Sequence, residues 1–236
     1  MPNLYNSYDL NVDKAYIITV KGNENSEKYS QRCQESCQLA EMPCEVWDAF
    51  DGTQAGPIKV PDHSINSDFI KMLKITDHYL TRGEVACALS HISLWVKCVV
   101  DDKPLVVLEH DAVMVQKFPY HQAYNSIVYL GGCEQAEQGW HVGYVPPHAS
   151  EGPNYHFICR AHAYSIDPAV AKNLLSHVLK FGIVAPLDIM MRTDIFNVCQ
   201  LGLFAYDKNY DKSNDTTIKA RPQEGRTTKR NDYLEY

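Results

Sequence analysis

Several kinds of segment are missing from this 236-residue sequence, and each absence excludes a class of protein. No run approaches the roughly 18 consecutive apolar residues of a membrane-spanning helix, so stable insertion in a bilayer is not expected. No basic amphipathic helix suggests a protein lying on a lipid surface. No Cys-x-x-Cys pair occurs, which weakens any zinc reading of Cys33 and Cys37. There is no internal repeat, low-complexity segment or clear interdomain linker, and a single domain is expected over 1–236. Positive charge is not in excess either. A net charge of −7 argues against a chain that coats nucleic acid through its whole surface. Met1 to Asp13 is polar and acidic where a signal peptide would be basic and then apolar, so a cytoplasmic location is expected.

What is present describes an ordinary globular chain. The apolar content is 45%, the charged content 22%, and the 15 tyrosines exceed what a disordered segment would carry. The eight cysteines are expected to be free thiols used for packing. Lys219, Arg221, Arg226, Lys229 and Arg230 form a local basic segment with only Glu224 among them, able to meet phosphates.

Along the chain, Ala15–Val20 reads as a buried strand, broken by Lys21-Gly22-Asn23 before a helix that Ser26 could cap. Glu45–Phe50 reads as a second strand, followed by a loop to about Asn66. Gly83–Asp101 carries Val85, Leu89, Ile92, Val96 and Val99 at helical spacing, with Glu84 and His91 two turns apart on another side. Ile127–Leu130 is a further strand candidate, and Tyr155–Ile166 supplies one or two more. The irregular stretch before Pro153 holds His141 and His148. Pro168 and Pro186 each open a helix, and Gln200–Tyr206 is the last strand candidate. Strands alternating with helices predict an α/β fold with a largely parallel central sheet flanked by helices, and ligands at the carboxyl ends of its strands.

The most informative segment is Pro104-Leu-Val-Val-Leu-Glu-His-Asp111. An apolar run buried on both faces ends abruptly in two carboxylates separated by one residue. Strand alternation would point Glu109 and Asp111 the same way, toward one Mg²⁺ or Mn²⁺ bridging the phosphates of a nucleotide.

Five segments together resemble glycosyltransferase family 25. These are Tyr16-Ile-Ile-Thr-Val20, Trp47-Asp-Ala-Phe-Asp-Gly52, Leu80-Thr-Arg-Gly-Glu-Val-Ala-Cys-Ala-Leu-Ser-His91, Leu108-Glu-His-Asp111, and Ala161-His-Ala-Tyr164 with the helix after it. The resemblance runs from Ala15 to about Asn197. It implies a GT-A-like, Rossmann-type sandwich, with about 14–132 handling nucleotide sugar and metal and about 133–236 the acceptor side. It further implies a UDP-sugar donor, Mn²⁺ or Mg²⁺ on Asp111 and Glu109, and a single inverting displacement.

Thr19, Asp51, Gly52, Arg82, Glu84, Ser90, His91, Glu109 and His110 fall at donor-binding positions of the resemblance, and His162 and Tyr164 at sugar or acceptor positions. Asp188 is the expected base, with Asp215 in reserve. His110 stands where the family has Asp, which leaves open whether it ligates metal, bonds the donor or fills space. The implied acceptor is a glycan or lipooligosaccharide. A hydroxymethylated base in DNA is the alternative suggested by the basic segment, and a non-catalytic sugar-nucleotide binder is the reading from another class. The oligomeric state is left open.

Overall fold

The computed structural model describes residues 12, 14–63, 67–77, 79–118, 122, 124–131 and 161–207. The first βα unit is β1 (Ala15–Thr19) and α1 (Glu24–Leu39), followed by β2 (Cys44–Asp48), the short α2 (Ser67–Met72) and the long α3 (Arg82–Asp101). β3 (Leu105–Glu109) and the three-residue β4 (Ala112–Met114) come next, then β5 (Ile127–Gly131) and β6 (Ala163–Ile166). The chain continues through α4 (Pro168–Phe181) and α5 (Leu187–Met190) to β7 (Val198–Asp207).

All seven strands form one sheet in the order β2-β1-β3-β6-β5-β7-β4. The β1–β2, β1–β3 and β5–β7 pairings are parallel, whereas β3–β6, β5–β6 and β4–β7 are antiparallel. Five strands therefore share one direction, and the expectation of a largely parallel sheet is met in direction but not in pairing, because β6 is inserted in reverse between β3 and β5. The connection from β3 to β4 also fixes the sheet's shape. Glu109 and Ala112 are three Cα steps apart, at most about 11 Å, yet four strand spacings of about 4.8 Å would separate β3 from β4 in a flat sheet. The sheet must curl, and the His110–Asp111 turn crosses the mouth of that curl.

Local signals explain most element ends. Asn23, not Ser26, caps α1: its side chain accepts from the Ser26 amide at 3.0 Å, and the Ser26 hydroxyl turns back to accept from the Val20 amide at 2.8 Å. Ser26 lies inside the first turn, so it stitches β1 to α1 instead of starting the helix. Asp167 caps α4 ahead of Pro168. Pro186 opens only a single turn, Leu187–Met190. The second strand stops at Asp48, two residues short of the expectation. The proposed strand material at 155–160, His141 and His148 lie outside the described residues.

Two apolar layers cover the sheet. Tyr16, Ile18, Leu105 and Val107 pack in the layer that contains α3 and α4, and Ala15, Ile17, Val106 and Leu108 pack against Cys33 and Cys37 of α1. This is the period-2 alternation of strands buried on both faces. By length and composition α3 could cross a bilayer, but 72% of its apolar stretch is buried inside the fold, between the sheet and α4. Its apolar stripe is as expected, and it is buried nearly all round because two layers claim it.

Candidate active site

β1 and β3 run side by side in parallel, with Ile18 opposite Glu109, so their carboxyl ends open together. Residues 105 and 107 face α3, and the next residue in that alternation, Glu109, faces α3 too. There it meets His91, whose Nε2 is 3.3 Å from Glu109 Oε1, and Cys87, whose thiol donates to the same oxygen at 3.9 Å. The strand ends at Glu109, and His110 and Asp111 form a turn. The simple i, i+2 rule therefore does not carry from Glu109 to Asp111, and it is the turn that leads both into one cleft.

That cleft has a volume of about 80 Å³ and is lined by Ile18, Phe50, Gly52, Cys87, Glu109 and Asp111, with Gly83, Ser90, His91 and His110 also on its wall. A second cavity of about 130 Å³ adjoins it through Ala49 and is lined by Lys21, Asp48, Asp51 and Lys59. Gly52 permits the narrow wall: a Cβ there would lie 2.6 Å from the Arg82 carbonyl and 2.9 Å from the Ala86 side chain.

α1 holds the turn in place. His110 stacks on Tyr29 with ring centroids 6.1 Å apart, the Arg32 guanidinium lies 5.4 Å from the same centroid, and Arg32 Nη2 donates to the Asp111 carbonyl at 3.0 Å. His110 thus has a packing partner of its own. Burial by itself would raise the Glu109 carboxyl, but His91, His162 and His110 hold it below its ordinary value. The Cys87 thiol moves the other way: burial first, then the charges of Glu109, Asp188 and Asp111, push it well above its usual range. Cys87 is therefore no thiolate nucleophile. The same cause places Asp188, on the turn packed against α3, within electrostatic reach of this cluster.

The other expected site residues, Ser90 on the cleft wall and Asp51 in the adjoining cavity among them, have structural partners. Glu84 closes a capping box: its carboxylate accepts from the Thr81 amide at 2.7 Å and the Thr81 hydroxyl at 2.9 Å, and it does not line the cleft. Thr19 points to the α1 face, where its hydroxyl donates to Ser30 at 2.8 Å. Ser90 accepts from the Phe50 amide at 2.9 Å and donates to the Ala86 carbonyl at 2.7 Å, so it ties the second strand's exit to α3. Asp51 braces its own loop through Thr53, and Arg82 donates to the Pro57 carbonyl. His162 and Tyr164 are core residues: the His162 carbonyl accepts from the Glu109 amide, and the Tyr164 hydroxyl accepts from Trp95 Nε1 at 3.0 Å and bonds His91 Nδ1 at 2.8 Å. Asp215 and the basic segment 219–230 lie outside the described residues. Cys33, Cys37 and Cys98 are buried as expected, whereas Cys44, Cys87 and Cys199 are half-buried.

Sequence reasoning missed the roles of Tyr29, Arg32 and Trp95. Only the Tyr29-x-x-Arg32 spacing on one helix face gave a signal.

No curated protein matches the chain. The model of glycosyltransferase family 25 (LPS biosynthesis protein) matches residues 12–130. That stretch is half of the 236 residues and includes every residue on the cleft wall. A wall built from matched residues, with two carboxyl groups at a strand's end, identifies the chain as a member of glycosyltransferase family 25 and as a glycosyltransferase.

Proposed function

We propose that this glycosyltransferase moves a sugar from a nucleoside diphosphate sugar, with UDP-sugar as the donor, to the hydroxyl of a glycan or lipooligosaccharide, on a GT-A-like scaffold and with inversion. The observation that carries this reading is the convergence of Glu109, His110 and Asp111 on one cleft beside the Gly52 and Gly83 backbone. The cleft alone is small against sites of about 300–1,000 Å³ that hold whole ligands. The adjoining cavity with Lys21, Asp48 and Asp51 offers room and polar groups for the nucleoside.

Two carboxyl groups on one wall, with Glu109 held in its charged form, fit the oxygen preference of Mn²⁺ or Mg²⁺. Glu109 and Asp111 would hold such an ion, whose positive charge would stabilise a leaving diphosphate. The chain supplies the rest. Gly52 lets its loop close against α3 to form one wall of the cleft, the buried wall excludes water, and Asp188 takes the proton of the acceptor hydroxyl as it attacks the anomeric carbon. One displacement with one base inverts the centre.

The test incubates the purified protein with a panel of nucleotide sugars, with Mn²⁺ or with EDTA, and measures slow donor hydrolysis. Metal-dependent hydrolysis of one UDP-sugar is expected. Binding without hydrolysis of any donor would make the chain a non-catalytic binder. Transfer to hydroxymethylated DNA but to no glycan would replace the acceptor assignment.

A further inference from the structure

We propose that Cys87, His91 and Glu109 form a site for a borderline transition-metal ion such as Zn²⁺, with a donor set different from the Glu109 and Asp111 pair. Their donor atoms all lie within 4.8 Å of one another. Bonds of about 2.0–2.3 Å in a tetrahedral zinc site put neighbouring ligand atoms about 3.3–3.8 Å apart. The separations from Glu109 Oε1 are 3.3 Å to His91 Nε2 and 3.9 Å to Cys87 Sγ, at or close to that range.

The orientation of His91 points the same way. Its ring is fully buried, yet Nε2 makes no well-formed hydrogen bond even though Glu109 Oε1 is close. A hydrogen bond would aim the N–H along the line between the two atoms. Two ligands sharing an ion instead aim their lone pairs at a point off that line. The other ring nitrogen is held by Tyr164, and Tyr164 in turn by Trp95, which is the kind of outer support that fixes a ligating imidazole. All three side chains line the cleft, from which a water or substrate atom could complete the set, as in sites with three protein ligands.

Thiolate, imidazole and carboxylate together select Zn²⁺ or Co²⁺ over Mg²⁺. On binding, the Cys87 S–H bond breaks and its proton passes to solvent. His91 binds through Nε2, the nitrogen that Tyr164 does not engage, and Glu109 through its carboxylate. Binding is therefore accompanied by proton release. Glu109 belongs to both donor sets, so zinc here would compete with the hard cation. That consequence, unlike the site itself, rests on the proposed function.

The test titrates metal-stripped protein with Co²⁺ and follows absorbance. A sulfur-to-cobalt charge-transfer band is expected, with displacement by Zn²⁺. Cys87→Ser should abolish the band and weaken Zn²⁺ binding at least about 100-fold, while Asp111→Asn should leave the band in place. No band in the unaltered protein, or one that persists in Cys87→Ser because other thiols hold the ion, would overturn the proposal, as would equal loss in Asp111→Asn. Should Cys87→Ser not fold, alkylation mapping of the unaltered protein decides: Zn²⁺ must protect Cys87 selectively.

Discussion

Gly52 lies so close to the first turn of α3 that a methyl group on its Cα would sit 2.6 Å from the carbonyl oxygen of Arg82. Backbone, not a flexible side-chain tip, fills the space. Gly52→Ala must push the Asp51–Thr53 loop away from α3, at a cost of about 1–3 kcal/mol, and must deform the cleft wall. A lowered Tm together with a raised donor KM is expected. A variant with both unchanged would show that the loop moves freely.

Glu84 should affect stability and not donor binding. Glu84→Ala removes the reciprocal bonds with Thr81 and should cost about 0.5–2 kcal/mol. Glu84→Gln can still complete the capping box and should be near neutral. Thermal denaturation with donor titration tests this, and a raised KM at unchanged Tm would return Glu84 to the donor site.

Asp111→Asn should reduce metal-dependent transfer by about 100-fold or more while the fold persists, because one negative ligand is lost. Full activity at limiting Mn²⁺ would exclude Asp111 as a ligand. Asp188→Asn should lower kcat by about 10²–10⁴-fold with donor KM unchanged. Steady-state kinetics on both variants separates the two roles.

His177 packs against Phe181 at 4.6 Å and Phe196 at 5.5 Å, far in sequence from the cleft residues. Burial, then the charges of Arg192 and Lys180, hold its pKa below the ordinary 6.5. The folded state therefore binds fewer protons than the unfolded one as pH falls through that value. Above it neither state is protonated and nothing changes. Below it the unfolded chain protonates first, and stability declines until the folded ring also gains its proton. The Tm advantage of the unaltered protein over His177→Gln should thus shrink as pH falls through about 6.5. A constant difference would contradict the sign.

The parts of the fold that could be read from the sequence are those with long periodic signals. β1 and α3 lie within a residue of their expected ends, β3 runs up to the carboxylates at Glu109, and α4 opens at Pro168, because their apolar spacing, Thr81, Asp167 and Pro168 act locally. The antiparallel β6 and three-residue β4 depend on partners distant in the chain, and nothing within four residues declares their direction. Helical periodicity showed that Glu84 and His91 share a side of α3. It could not show that one ends in a cap and the other in a buried cluster, since that is decided by Thr81 and by Tyr164, 73 residues away. His110 was ambiguous for the same reason: its stacking partner Tyr29 is on another helix.

The sheet's order has a consequence for how this chain behaves when crowded or partly unfolded. Among the described residues, the apolar β3 and β5 lie inside the sheet, while its borders are β2 and β4. β4 is three residues long, and β2 carries Glu45, engaged by Lys14 at 3.0 Å, and Asp48. Short or charged borders are poor templates for another molecule's strand. The segments most prone to self-association, Leu105–Glu109 and Ile127–Gly131, should become available only when the sheet opens. Aggregation through these two segments should therefore track opening of the sheet.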